Sequence, residues 1–410
     1  MMKQEDSTAT VATLHGWGED VFPKLSWFKR HKVEQAWVMV VGCGALGNEV
    51  LKNLALFGVG HLVIVDFDRV EYSNLTRSVL FSHEDARQAC PKVQAAAKRI
   101  REINPQIEVV PLEADVTWQV GLGWIRRMDV VIGCLDNRWA RYSLNRLCMR
   151  AGVPWVDGGM EGLEGVAKVF APEKNCYACT LEPGAWKDLS RSMSCASVIR
   201  RNERVERVPT TPIVASVIGA VQAQEAMKLI HREELEKGEL TSLCGKMFYY
   251  EGQHLTSRLI EHRGWDEECP VHECWEPVVT CGLTHRCRIK DLMDWLKKNC
   301  GTEDVEVVLR NQPWVDYVEH RRTGQKIWVM RPAVQVQEFM EQHLEGRYML
   351  TGDFYQHEFR YVGGDFPYMD LTLQELGIPE RDVLHVRTST VEWYVELASQ
   401  VLDRKKNKQQ

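Results

Sequence analysis

The sequence predicts a doubly wound, Rossmann-like α/β domain with a smaller α+β domain behind it, and three observations lead there. Between residues 37 and 137 short apolar runs alternate with helix-like stretches. A glycine cluster, Gly42-Cys43-Gly44-Ala45-Leu46-Gly47, joins the first run to the first helical pattern. Beyond residue 275 that alternation gives way to a different one. Strands separated by helices need crossover connections, so they pair in parallel and are covered on both faces.

WVMVV, from Trp37, starts the first strand, and a helix follows over 46–57. HLVIVD is the second strand and ends on Asp66; a helix crosses 92–103, and IEVVPL and DVVIG are further strands. VPWVDGG and EGVAKVF continue the series, and a long helical pattern covers 212–231. Residues 182–209, polar and basic with little periodicity, read as a mobile loop. The C-terminal domain is expected to hold helices over 289–298 and 334–343, a strand at IWVM and a further run over 371–386. The 410 residues exceed one ordinary core and divide into an extension over 1–35, the α/β domain over 36–275 and the smaller domain over 276–410. The closing RKKNKQQ reads as a solvated tail.

Composition narrows the function classes. With 44% hydrophobic and 26% charged residues, the chain has the balance of a globular protein. A net charge of −6 and a pI near 6.1 give no field for neutralising phosphates, so nucleic acid is not an expected partner. No run of about 18 consecutive apolar residues occurs, and the start MMKQEDSTAT lacks the apolar core of a signal peptide. The expectation is a cytoplasmic protein without a membrane partner. In that setting 13 cysteines imply free thiols and metal ligands rather than a disulfide framework.

Gly42, Gly44 and Gly47 follow a strand and open a helix, and Asp66 ends the next strand about 20 residues on, as a dinucleotide-type fingerprint requires. Glycines let the backbone approach phosphate, the helix N-terminus favours the anion, and the carboxylate accepts from ribose hydroxyls. Downstream, DFDRVEYSNLTR adds Asp68, Ser73, Asn74 and Arg77, followed by Lys92 and by Asp136-Asn137 at the end of DVVIGCLDN. A hydride-transfer enzyme has no use for this set. Bringing a carboxylate to the α-phosphate of ATP does, because two anions must approach and the transition-state charge needs fixed cations and a metal. Arg77 and Lys92 can supply the cations, and Asp136, at the carboxyl end of a parallel strand, is a hard oxygen ligand suited to magnesium.

GCGALG, DFDRVEYSNLTR, Lys92 in CPKV, GCLDN and VDGGMEG, in this order, resemble the ubiquitin-activating superfamily, which includes the adenylyltransferases of molybdopterin and thiamin biosynthesis. The resemblance covers roughly 36–275 and implies an adenylation domain there. It implies that Gly44 and Asp66 contact ATP, that Asn74, Arg77 and Lys92 hold its phosphates and that Asp136 binds magnesium. Family members often carry an arginine pair before the first strand that reaches a partner subunit's site. Here that stretch reads FPKLSWFKRHKVEQAW, with only Lys24, Lys29 and Arg30 as weak candidates.

Cys176-Tyr-Ala-Cys179 and Cys269 in CPVHEC form knuckles that can clamp a structural tetrahedral zinc, tying distant segments together. The fourth ligand is Cys274 or His272, with Cys274 favoured. Cys195, in RSMSCASV, sits among Arg191, Arg200, Arg201, Arg204 and Arg207, which favour its thiolate. In the resembling family this loop, about 182–211, carries the cysteine that takes the acyl group. The stretch MDLTLQELGIPERDVLHV is similar to the ubiquitin-fold domain that recruits conjugating enzymes; the likeness covers the last third of the C-terminal domain, and a generic β-grasp or other α+β domain is the alternative. Together these features predict activation of a ubiquitin-like protein's C-terminal glycine, a thioester on Cys195 and transfer to a conjugating-type enzyme, in a homodimer because the nucleotide site is complete. A sulfur-carrier adenylyltransferase is the alternative.

Overall fold

The computed structural model describes residues 22–182, 184–186, 210–262, 264–309, 312–343 and 354–399. β1 (Trp37–Val41) leads into α1 (Ala45–Phe57) and β2 (His61–Val65), and α2 (Lys92–Ile103) leads to β3 (Glu108–Leu112). Then come the one-turn helix α3 (Leu122–Ile125), β4 (Val130–Gly133), α4 (Arg138–Ala151), β5 (Trp155–Glu161) and β6 (Glu164–Phe170). α5 (Pro212–Ile230) precedes β7 (Lys246–Glu251) and β8 (Thr256–Glu261). The strands form one eight-stranded sheet in the order β3-β2-β1-β4-β5-β6-β7-β8. Pairing is parallel from β3 to β5 and antiparallel from β5 to β8.

The apolar runs follow from burial on both faces. Val38 and Val40 of β1 pack with Leu51, Leu54, Ile100 and Ile218 from α1, α2 and α5. Met39 and Val41 point the other way, into a core with Ile125, Leu144 and Trp155. β1 has β2 on one side and β4 on the other, so the strand order reverses there and a crevice opens beyond the carboxyl ends of β1 and β4.

α5, with 19 residues, is the longest helix among those described. Among the described residues it is the helix whose length and mean hydropathy would suffice to cross a bilayer, although Gln222, Gln224, Glu225 and Lys228 interrupt its apolar run. Its place is in the core instead: Val214, Ala215, Ile218, Ala223, Ala226 and Met227 are buried, and buried Gln222 donates to the Gly133 carbonyl at 2.9 Å.

The C-terminal domain is α+β. β9 (Val278–Thr284) passes directly into α6 (Ile289–Cys300), followed by β10 (Glu306–Val308), β11 (Trp314–His320) and β12 (Lys326–Pro332). α7 (Val336–His343), β13 (Phe354–Phe359), β14 (Tyr361–Val362), β15 (Val383–Arg387) and β16 (Glu392–Ala398) complete it. A five-stranded sheet, β14-β10-β15-β16-β9, makes the first strand and the last parallel neighbours. Ile289, Leu292, Met293 and Leu296 of α6 belong to the core of this sheet. A second sheet, β12-β11-β13, packs Val315, Val318 and Val329 with Phe339 and Met340 of α7. The stretch 369–386 forms turns and then β15.

The two domains meet at α3. Glu396 of β16, buried, pairs with Arg126 at 2.7 Å and also with Arg127. The Leu122 amide donates to Asp382 at 3.0 Å, and the Gly123 amide donates to the Arg381 carbonyl at 2.8 Å. The Arg381 guanidinium lies 4.9 Å from the centre of the Trp124 ring, a cation–π contact. A Cβ on Gly121 or Gly123 would overlap the carbonyl of Glu380 or of Arg381, so this approach of backbone to backbone needs glycine.

Glu396 is buried but Arg126 and Arg127 are each partly exposed, so Glu396→Gln leaves partly hydrated cations and should cost about 1–3 kcal/mol in urea unfolding. Burial pushes the Asp382 carboxyl from an ordinary 3.8 up to about 6. A raised acid contributes stability that is complete below its unfolded value and is lost as pH rises through the folded one. Relative to Asp382→Asn, the wild type should therefore lose on the order of 3 kcal/mol between about pH 4 and pH 7 in parallel denaturant titrations.

Candidate functional site

The crevice is built from the turn after β1. Gly42 adopts φ +95°, and a Cβ there would overlap the carbonyl of Cys134, just past β4. A Cβ on Gly47 would overlap Gly42's own carbonyl, which fixes how α1 leaves the turn. Above Gly44, the residue that caps α1, nothing lies within 4 Å of where a Cβ would be, which leaves room for a phosphate at the helix N-terminus.

Asp66 fastens this turn from β2. One of its oxygens accepts the Cys43 amide at 2.6 Å and the other accepts the Asp68 amide at 2.8 Å. Burial raises its pKa, against the opposing charge of Lys92 and the two amides. A carboxylate offers about four lone-pair sites, so acceptors remain for ribose hydroxyls. Lys92 opens α2 and donates to Asp68 at 2.7 Å. Burial works against its charge, yet Asp66 and Asp68 outweigh that and its pKa is raised, so it is a fixed cation.

The other predicted residues ring the same end of the sheet. Ser73 and Asn74 lie on a 3-10 turn in which the Asn74 side chain accepts the Glu71 amide at 3.0 Å and Ser73 donates to Glu71 at 3.1 Å. Arg77 donates to the Ser73 carbonyl at 2.9 Å, and no ion pair to it occurs among the described residues. Asp136 is exposed just past β4 and accepts from Asn137 at 3.1 Å. Asn137 is the N-cap of α4, accepting the Ala140 amide at 2.8 Å. Asp136 is thus left available for a hard cation, and the donor set fits magnesium with nucleotide phosphates as co-ligands.

Sequence reasoning missed Arg141. It donates to Asp157 at 2.9 Å, to the Gly158 carbonyl at 3.1 Å and to the carbonyl of Leu135, the residue before Asp136. Asp157 was legible in VDGG, but its partner lies 16 residues away on a helix, a spacing no local motif marks. The N-terminal candidates fall elsewhere. Arg30 is paired with Glu34 at 2.6 Å, and both line a cavity of about 540 Å³ with Phe22, Phe28 and Phe57 near the amino ends of β2 and β3, away from the crevice. Lys29 donates to the Ser26 carbonyl at 3.2 Å, and Lys24 is exposed.

A second group lies on the opposite face of the sheet from α1. Ligand atoms of Cys176, Cys179, Cys269 and His272 all fall within 4.8 Å of one another, with Cys179 Sγ 3.2 Å from His272 Nε2. Three thiols and an imidazole at this mutual spacing suit a tetrahedral zinc. A hydrogen bond from Cys176 draws the Cys269 thiol down to about 6, so the cluster readily holds one thiolate. The preference for Cys274 as fourth ligand is corrected: its thiol is turned toward the Arg150 carbonyl at 3.8 Å, outside the cluster. In the CPVHEC turn His272, not Cys274, joins Cys269 at Cys179. Cys195 and the arginines around it lie outside the described residues.

A family model described as the ThiF family matches residues 14–271, which include the whole crevice. The SAMP-activating enzyme E1 of Haloferax volcanii is 35% identical over 238 residues, covering 57% of this chain and 79% of that protein. The sulfur carrier protein ThiS adenylyltransferase of Escherichia coli is 34% identical over 219 residues, covering 53% of this chain and 81% of that protein. The adenylyltransferase and sulfurtransferase MOCS3 of Sus scrofa is 32% identical over 285 residues, covering 67% of this chain and 58% of that protein.

Cys179→Ser should remove bound zinc and lower the melting temperature, whereas Cys274→Ser should keep the metal, as read by elemental analysis of the purified proteins. Gly42→Ala should fold less stably and lose ATP binding, measured by calorimetric titration, because the positive φ and the overlap with Cys134 move the turn.

Proposed function

The chain belongs to the ThiF family, and on that premise we propose that it activates the C-terminal glycine carboxylate of a small ubiquitin-like protein with magnesium-ATP. The acyl group then passes to Cys195 as a thioester and on to a conjugating-type enzyme. The observation that carries the first step is Lys92 held by Asp68 beside a glycine turn with open space above Gly44, with Arg77 and Asp136 at the same end of the sheet.

In that step a carboxylate oxygen attacks the α-phosphorus, the bond to the bridging oxygen breaks and pyrophosphate leaves. Negative charge grows on phosphate oxygens, where the cations of Lys92 and Arg77 offset it. Magnesium held at Asp136 would add positive charge on the same phosphates. Arg141 keeps Leu135, and with it the Asp136 loop, against β5. In the second step the Cys195 thiol gives its proton to water, and the resulting thiolate attacks the acyl carbonyl and displaces AMP. Support for Cys195 is the SMSCAS segment and its flanking arginines.

A relative named for SAMP activation supports the modifier-activating reading. The ThiS adenylyltransferase relative supports a second one, in which the activated carboxylate receives sulfur. The domain over 276–410, which lies wholly beyond the stretch matched by the family model, supports a separate partner such as a conjugating enzyme. A homodimer acting in the cytoplasm completes the proposal.

In ATP–pyrophosphate exchange, Arg77→Ala and Asp136→Ala should each lose on the order of a hundredfold to a thousandfold. Cys195→Ala should retain exchange while losing the thiol-sensitive adduct that a non-reducing gel shows for wild type with a cognate ubiquitin-like protein. Undiminished exchange in both Arg77→Ala and Asp136→Ala would sink the site assignment. Exchange without any adduct, together with a thiocarboxylate product, would establish the sulfur-carrier reading instead.

A further inference from the structure

α4 runs between the two sites, and its contacts at successive turns connect them. Asn137 caps it beside Asp136; four residues on, Arg141 braces Leu135, Asp157 and Gly158; four further on is Asn145, wholly buried. Residues four apart share a helix face. Asn145 meets the metal cluster: its Nδ2 donates to Cys176 Sγ at 3.2 Å, while its Oδ1 accepts the Tyr177 amide at 3.1 Å and the Trp155 indole at 3.2 Å. Trp155 opens the same strand, β5, that carries Asp157 and Gly158 to Arg141. One buried amide therefore holds a cluster thiol, the knuckle backbone and the strand that braces the Asp136 loop.

We propose that Asn145 is a positioning residue through which loading of the Cys176–Cys179–Cys269–His272 cluster sets how well the crevice binds magnesium-ATP; this rests on the nucleotide reading of that crevice. A bound zinc fixes Cys176 and Tyr177 in place. Asn145 passes that placement to α4 and to Trp155, and close-packed helix and strand carry it to Asp136, because such an interior shifts between discrete arrangements rather than bending continuously. Partners behind the metal ligands, when removed, typically cost about 10-fold to 100-fold in metal affinity.

The experiment compares wild type and the isosteric Asn145→Asp, each zinc-loaded and chelator-stripped, with circular dichroism as the check on folding. Calorimetry gives the magnesium-ATP dissociation constant, chelator competition gives zinc affinity, and the thiolate-to-metal absorption of the cobalt-substituted proteins reports on the Cys176 contact. Stripping folded wild type should weaken magnesium-ATP about tenfold, reversibly on reloading. Asn145→Asp should shift the cobalt band, weaken zinc about 10-fold to 100-fold and show, even when loaded, the ATP affinity of stripped wild type, with no further loss on stripping. ATP affinities for loaded and stripped folded wild type within about twofold would overturn the coupling, and this comparison decides even if the variant does not fold. Magnesium-ATP binding that responds to zinc, without pyrophosphate exchange, would sink the adenylation reading and leave this inference standing.

Discussion

The turn after β1 lies so close to the end of β4 that Gly42 has no room for a Cβ against the Cys134 carbonyl. Everything at the crevice is arranged around that contact. Asp66 holds the turn from one side through the Cys43 amide, and Asn48 reaches back from α1 to the Cys43 and Gly44 carbonyls at 2.9 and 3.0 Å. Gln222 of α5 approaches from below, on the Gly133 carbonyl. Backbone fixed this firmly presents its amides to an anion without reorganising, which is the property phosphate chemistry needs.

The charges follow from the same packing. Asp66 must be buried to hold the turn, and a buried carboxylate needs a nearby cation. Lys92 answers that need, and Asp68 keeps its ammonium oriented. A cation required by the fold is therefore available to the ligand. Arg77 is held differently, donating to the Ser73 carbonyl rather than to a carboxylate.

Much of this crevice was legible in the sequence because each part is local. Gly42 to Gly47, Asp66, Lys92 and Asp136 each sit at a strand end or helix start that hydrophobic periodicity marks. Arg141, Asn145, Gly121 and Gly123 were not legible, since their roles are set by residues distant in the chain. The choice between His272 and Cys274 turned on the geometry of one short turn, which spacing does not encode. α5 was legible as a helix, but its length and hydropathy alone do not distinguish a core helix from a membrane span; its buried residues in the α/β core do. The C-terminal domain was readable as α+β, while its two sheets depend on pairings such as β9 with β16 that close only across its whole length.

The seam at α3 also bears on how such a chain could have been assembled. Two glycines give backbone access, two arginines meet Glu396, and Trp124 receives Arg381. A domain joined this way is not portable: grafted onto a related core with side chains where Gly121 and Gly123 stand, it would meet steric overlap before any charge could pair. The helix and its passenger would have had to change together, so the acquisition of this domain should be traceable in the short α3 turn as well as in the appended residues themselves.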